Sequence, residues 1–198
     1  MNWIAWRTTR ADLGKHLDRH LFNPDPNLPD GFKRIQYYDY AGSGYDRGHM
    51  VPSADRFGNE KLNAETFNMT NIVPQASGLN QYPWNKFEMF ARTLVFRGSE
   101  LYTVAGVYGD KERLRGKVTV PTNCWKIVVV FPKGRNGEIV ANTRVIAVDM
   151  PNNDDVESIP WERYKTTVRD IETKTGFDIF SSLPRDIQDV IENRLDGN

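Results

Sequence analysis

The chain is poor in the residues that commit a protein to thiol or redox chemistry. Its 198 residues include one cysteine, Cys124, and three histidines, His16, His20 and His49. A single cysteine excludes an internal disulfide and a thiolate metal cage, and it leaves the redox compartment open. Net charge is lacking as well: 26 lysines and arginines face 26 aspartates and glutamates. Bulk positive charge of the kind that packages nucleic acid is therefore excluded, although a local basic patch is not. No apolar run reaches the length of a membrane span. The opening "MNWIAWRTTR" has neither the basic start nor the apolar stretch of a signal peptide, and a mature secreted chain would begin the same way.

Hydrophobic residues at 39% and charged residues at 26% suit a folded globular protein, and the length suits one domain spanning residues 1–198. The stretch "FNPDPNLPDGF" reads as an ordered surface loop. Farther on, "TFNMTNIVPQ" favours strand and is broken by Pro74. Trp84, Phe87, Phe90, Ala91, Leu94 and Val95 recur at helical spacing between Pro83 and Gly98, which predicts a helix from about Pro83 to Arg97. "ELYTVAGVYG", "GKVTVPTNCWKIVVVFPKG" and "GEIVANTRVIAVDMP" read as strands, with "KIVVVF" central and covered on both faces. "IPWERYKTTVRDIETKTG" and "PRDIQDVIENRL" read as closing helices. The expected fold is α+β, a mostly antiparallel central sheet flanked by helices.

The residues suited to chemistry gather in three places. "YDRGHMVPSADR" (Tyr45 to Arg56) reads as a loop that carries His49, a side chain able to exchange a proton near neutrality. Glu88 and Arg92 are four apart on the predicted helix, where a surface ion pair is their ordinary use. Asn80, just before that helix, fits a capping residue. His16 and His20 have a zinc-compatible spacing, yet no further ligand lies nearby and they read as surface histidines.

In this order and spacing, "YDRGH", "TNIVPQ" and "LNQYPWNKFE" with Arg92 following resemble the DRGH-motif non-specific DNA/RNA endonucleases of the Serratia- and Anabaena-nuclease type. Those enzymes have a ββα-metal active site. The likeness continues through "GSGYDRGH", "PSADR", "MTN", "GKVTVP", "WKIVVV" and "ANTRVIAV", from about residue 42 to 148. It implies cleavage of DNA and RNA to 5′-phosphate and 3′-hydroxyl ends. It also implies His49 as general base, Asn80 as the direct ligand of one magnesium or manganese ion, and Glu88 acting on that ion through water. Arg92 would face the phosphate. Arg47 and Asn71 would shape the site or bind the substrate backbone, and Asp46 would support the loop and the metal's water shell. The family's N-terminal substrate-binding arginine has a displaced counterpart here: Arg19 sits one residue from the matching position, which Asp18 occupies. A secreted or periplasmic location and no membrane partner are further implications, whereas a protein inhibitor is not legible.

The chemistry supports such an assembly. Phosphodiester hydrolysis at neutral pH needs a base for water and a cation for the developing charge. A single neutral amide ligand leaves a hard cation almost fully charged. The glycine before His49 is expected to let the chain pass close to substrate. Two alternatives stand beside this reading. One is a non-catalytic nucleic-acid module, which would need none of His49, Asn80 or Glu88; the other is a hydrolase of RNA alone or of another phosphodiester.

Overall fold

A computed structural model describes residues 2–132 and 137–197. Its centre is a five-stranded antiparallel sheet in the order β1-β4-β7-β8-β9. The strands are β1 (Trp3–Thr8), β4 (Ser99–Tyr108), β7 (Asn123–Pro132), β8 (Arg144–Pro151) and β9 (Lys165–Thr166). β4 pairs with β7 along ten residues, from Ser99↔Pro132 to Tyr108↔Asn123. β7 is buried on both faces, as its apolar run predicts. Strand alternation sends Cys124, Val128 and Val130 to one face, against Trp84, Phe87, Leu94 and Val95. Trp125, Ile127, Val129 and Phe131 go to the other, against Val168, Ile171 and Ile191. Helices α4 (Val168–Thr175) and α5 (Arg185–Asn193) cover that second face, and α3 (Asn85–Phe96) covers the first.

Two smaller ribbons complete the strands. β5 (Glu112–Leu114) pairs with β6 (Val118–Val120). β2 (Tyr45–His49) pairs with β3 (Ile72–Ala76), placing Arg47 opposite Pro74 and Gly48 opposite Val73. The DRGH segment is thus a strand, not the loop expected from its charges. Pro74 is tolerated because the ribbon has only two strands and a proline there need not donate to a third. Short helix α1 (Glu60–Glu65) lies in the connection. From β3 the chain runs directly into α2 (Ser77–Leu79), a π-helical turn (Asn80–Trp84) and then α3. The result is a strand–strand–helix unit laid against the main sheet.

Several boundaries differ from the sequence expectation. Helical structure begins at Ser77, six residues before Pro83, because proline suits the interior of a widened turn as well as a helix start. The first closing helix is only α4. Its expected first half forms a 3₁₀ turn (Trp161–Tyr164) and the edge strand β9. Thr167 caps α4 by accepting from the Asp170 amide, and Gly176 ends it at φ 74°. "GKVTVPTNCWKIVVVFPKG" divides at Pro121 into β6 and β7, and its Lys133 and Gly134 lie outside the described residues. β1 has no counterpart in the expectation.

Candidate active site

Strand β2, the π turn, α3 and the Leu17–Arg19 segment together line a cleft of about 420 Å³ that brings Arg19, Arg47, His49, Asn80, Glu88 and Arg92 to one place. Asn71 does not join them. Its amide nitrogen donates to the carbonyls of Val51 and Thr66, its oxygen accepts from the Val51 amide, and it is buried. Buried and tied to the backbone through both ends of its amide, it shapes the turn after His49 and does not line the cleft.

The π turn explains why Asn80 reaches the cleft. Eight residues separate Asn80 from Glu88, which at 3.6 residues per turn leaves them about 80° apart around a regular helix. One residue absorbed by a π turn removes ~100°, so the two side chains come onto nearly the same face. Pro83 inside the turn has no N–H for the regular ladder, which favours the slip.

Asp46 then fixes how Asn80 is presented. The Asn80 Nδ2 donates to Asp46 Oδ2 at 2.9 Å, and Gln81 Nε2 donates to the same oxygen at 2.9 Å. Ser77 donates to Asp46 Oδ1 at 3.1 Å. A carboxylate only accepts, so the amide nitrogen must face Asp46 and the amide oxygen is the free atom. Burial raises the Asp46 pKa, but the hydrogen bonds from Asn80, Gln81 and Ser77, with Arg19 nearby, outweigh it and hold the group below its usual range.

His49 is largely enclosed by aromatic rings. Its imidazole meets Phe67 edge-on at 4.9 Å and Phe22 at 5.5 Å, and its Nε2 is buried without a hydrogen-bond partner among the described residues. Burial, reinforced by the positive charges of Arg19 and Lys126, lowers its pKa to about 4. The imidazole is accordingly neutral at neutral pH. This is not the exposed base that a loop would supply. Gly48 beside it has a different use from the one expected: a Cβ there would lie 1.8 Å from the Gln75 Oε1, so glycine makes room for a buried side chain of β3.

Glu88 and Arg92 are one helical turn apart, yet each has its own partner elsewhere. Lys126 Nζ donates to Glu88 Oε1 at 2.7 Å, and Arg92 Nη1 donates to Asp55 Oδ1 at 3.1 Å. Asp55 Oδ2 is held in turn by Trp6 Nε1 at 3.1 Å and Thr8 Oγ1 at 3.3 Å. Burial raises the Glu88 pKa against the opposing pull of Lys126 and Arg92. Arg19 and Arg47 are held differently. Their guanidinium groups lie 5.3 and 5.4 Å from the Phe22 ring, and neither forms an ion pair among the described residues. Among the described residues Arg47 donates only to the Tyr37 carbonyl, at 3.3 Å. His16 also lines the cleft but packs on Phe57 at 5.0 Å, while His20 packs on Phe67 at 5.7 Å, so the two do not share a ligand.

Such a cleft offers cationic groups for phosphates, a neutral imidazole and a neutral amide oxygen beside a carboxylate. That donor set of oxygens fits a hard divalent cation. The family model for DNA/RNA non-specific endonuclease matches residues 1–186. A nuclease of Nostoc sp. is 45% identical, across 99% of this chain and 72% of its own length. This chain belongs to the DNA/RNA non-specific endonuclease family. The mitochondrial nuclease 1 of Schizosaccharomyces pombe is 33% identical over 83% of the chain and 54% of its own length, so this endonuclease spans about half of that relative. A crystal structure of the EndoG/EndoGI complex superposes with a TM-score of 0.78 at 26% identity, covering 92% of this chain and 79% of that one. The shared fold is the α+β ββα-metal arrangement of antiparallel sheet and helices.

Two residues that hold cleft side chains from outside the cleft were not singled out from the sequence. Asp55 lies in plain view in "PSADR", but nothing local shows that it would hold Arg92. Lys126 interrupts the apolar run "WKIVVV", and a charge at a strand position with buried neighbours on both sides is a readable signal.

Proposed function

We propose that this nuclease hydrolyses phosphodiester bonds of both DNA and RNA by attack of water, leaving 5′-phosphate and 3′-hydroxyl ends. The observation that carries the reading is the contact of Asn80 Nδ2 with Asp46 at 2.9 Å, which determines that the amide oxygen is the atom offered to the cleft. Asn80 would be the direct protein ligand of one magnesium or manganese ion, and Glu88 would act on that ion through water. When bound, the cation supplies charge stabilisation at the phosphate and the leaving oxygen. The side chains do the rest. Neutral His49 accepts the proton of the attacking water. Arg92, held by Asp55, faces the phosphate, while Arg19 and Arg47 take the neighbouring ones. Contacts of this kind position the backbone and carry no sequence information, which accounts for indifference to base and sugar. Because EndoG is inhibited in the EndoG/EndoGI complex, the proposal extends to a protein inhibitor covering the same cleft. A secreted or periplasmic location is proposed from the family resemblance.

The test uses plasmid DNA and a structured RNA with magnesium, manganese or EDTA. Wild-type protein should cut both substrates and stop in EDTA. Asn80→Ala should be inactive across the metal titration, and Glu88→Ala should lose about 10–100-fold, as removal of an outer-shell group does. Wild-type rates from both variants would rule the site out.

A further inference from the structure

Strand alternation along β7 places Lys126 on the face that packs against α3, between Cys124 and Val128. It is 2% exposed and does not line the cleft. Its ammonium lies 4.3 Å from the Trp84 ring and 5.4 Å from the Trp6 ring, and Glu88 is its only ion-pair partner among the described residues. A methionine would pack well in that setting, whereas a buried ion pair is seldom a net gain in stability. Stability therefore gives no account of the lysine.

We propose that Lys126 is a positioning residue of the nuclease, gripping Glu88 Oε1 from beneath so that Oε2 alone is presented to the cleft. The proposal rests on the role given to Glu88 above. A glutamate on a helix surface samples several rotamers and loses that freedom only when something holds it. Lys126 holds it from the side opposite the substrate, where no phosphate can compete for the ammonium. Oε2 has no protein hydrogen bond among the described residues, so the grip leaves one oxygen free and fixes its direction. Because Lys126 is out of reach of the nucleic acid, its removal should spare substrate binding and act on turnover.

The experiment compares wild type, Lys126→Met, Glu88→Gln and the double variant. Melting in EDTA is read first. Each single variant strands one buried charge, so the double should melt higher than the sum of the single losses predicts. Turnover on DNA at saturating magnesium is read second. Lys126→Met should lower kcat about 10–100-fold with KM for DNA unchanged, and it should add nothing to the loss in Glu88→Gln. Full activity of Lys126→Met beside an impaired Glu88→Gln, or losses that multiply in the double variant, would overturn the proposal alone. Full activity of Glu88→Gln would overturn the role of Glu88 itself, and this proposal with it. If Lys126→Met does not fold, Lys126→Gln is read on the same cycle.

Discussion

A histidine that works as a base in water sits near its ordinary pKa; His49 does not. Its folded-state pKa is lowered to about 4 from 6.5 by burial and by the positive charges of Arg19 and Lys126. Protonation in the unfolded chain sets in below pH 6.5, while the folded protein resists it until about pH 4. Between those values the unfolded state binds the extra proton, so stability is full above 6.5 and is lost as pH falls toward 4. The shift corresponds to roughly 3 kcal/mol. His49→Gln should abolish cleavage and also flatten this dependence. Urea melts of wild type and variant at pH 7 and pH 4.5 measure it, and parallel losses in both proteins would place the burden on another group. For activity, the acid limb of kcat/KM at saturating metal should fall near pH 4. A midpoint near 6.5 would mean that His49 is better solvated than its rings suggest.

At the scale of elements, much of the architecture was readable. Long apolar runs and helical spacing located β4, α3 and α5 to within a few residues, because each is specified by its own burial pattern, whereas β7 and β8 begin seven residues later than expected, at Asn123 and Arg144. What escaped depends on tertiary partners. β1 is half-exposed and gains its strand state by pairing with β4 from Trp3↔Gly106 to Thr8↔Leu101. DRGH becomes a strand because β3 is there to receive it. The cleft divides the same way. Arg47, His49, Asn80, Glu88 and Arg92 were legible as a set through motif order and Arg19 through its displaced register, whereas the pairings Lys126–Glu88 and Asp55–Arg92 join distant segments that no local pattern connects. The π turn was invisible for a related reason: a periodic sequence shows where a helix runs, but not where it takes in one extra residue. Its register can be tested directly. Deleting Tyr82, an exposed residue of that turn, should restore regular α-helical pitch with Asn80 and Glu88 seven residues apart, ~20° from alignment, so cleavage should survive. Inserting one alanine beside Tyr82 should instead rotate Asn80 ~100° away from Glu88, abolishing cleavage while circular dichroism and melting stay near wild type. An insertion variant that still cuts would show that the turn's width is not what aligns the two side chains.

The whole molecule carries no net charge, so nucleic acid is not drawn to it by a global positive field. Attraction must come from the few cations that remain free where the cleft opens. Arg92 is tied to Asp55 at 3.1 Å and Lys126 to Glu88 at 2.7 Å, which leaves Arg19 and Arg47 as the cleft arginines without an ion pair among the described residues. The displaced register of Arg19 does not remove it from the cleft, for it lines the same wall as His49 and shares the Phe22 ring with Arg47. Counterion release gives this a quantitative form. Each phosphate neutralised on duplex DNA contributes about −0.9 to the slope of log affinity against log salt. An enzyme with zero net charge and few free cations should therefore show a shallow slope, well below that of a dedicated DNA-binding protein. Arg19→Ala and Arg47→Ala should each reduce it by about one, with the double variant additive because the two take different phosphates. Binding of a fluorescent duplex by catalytically silent His49→Gln, measured across a salt series, gives the slopes. If Arg19→Ala weakens binding without changing the slope, Arg19 supports the Phe22 and Phe67 rings around His49 rather than touching phosphate.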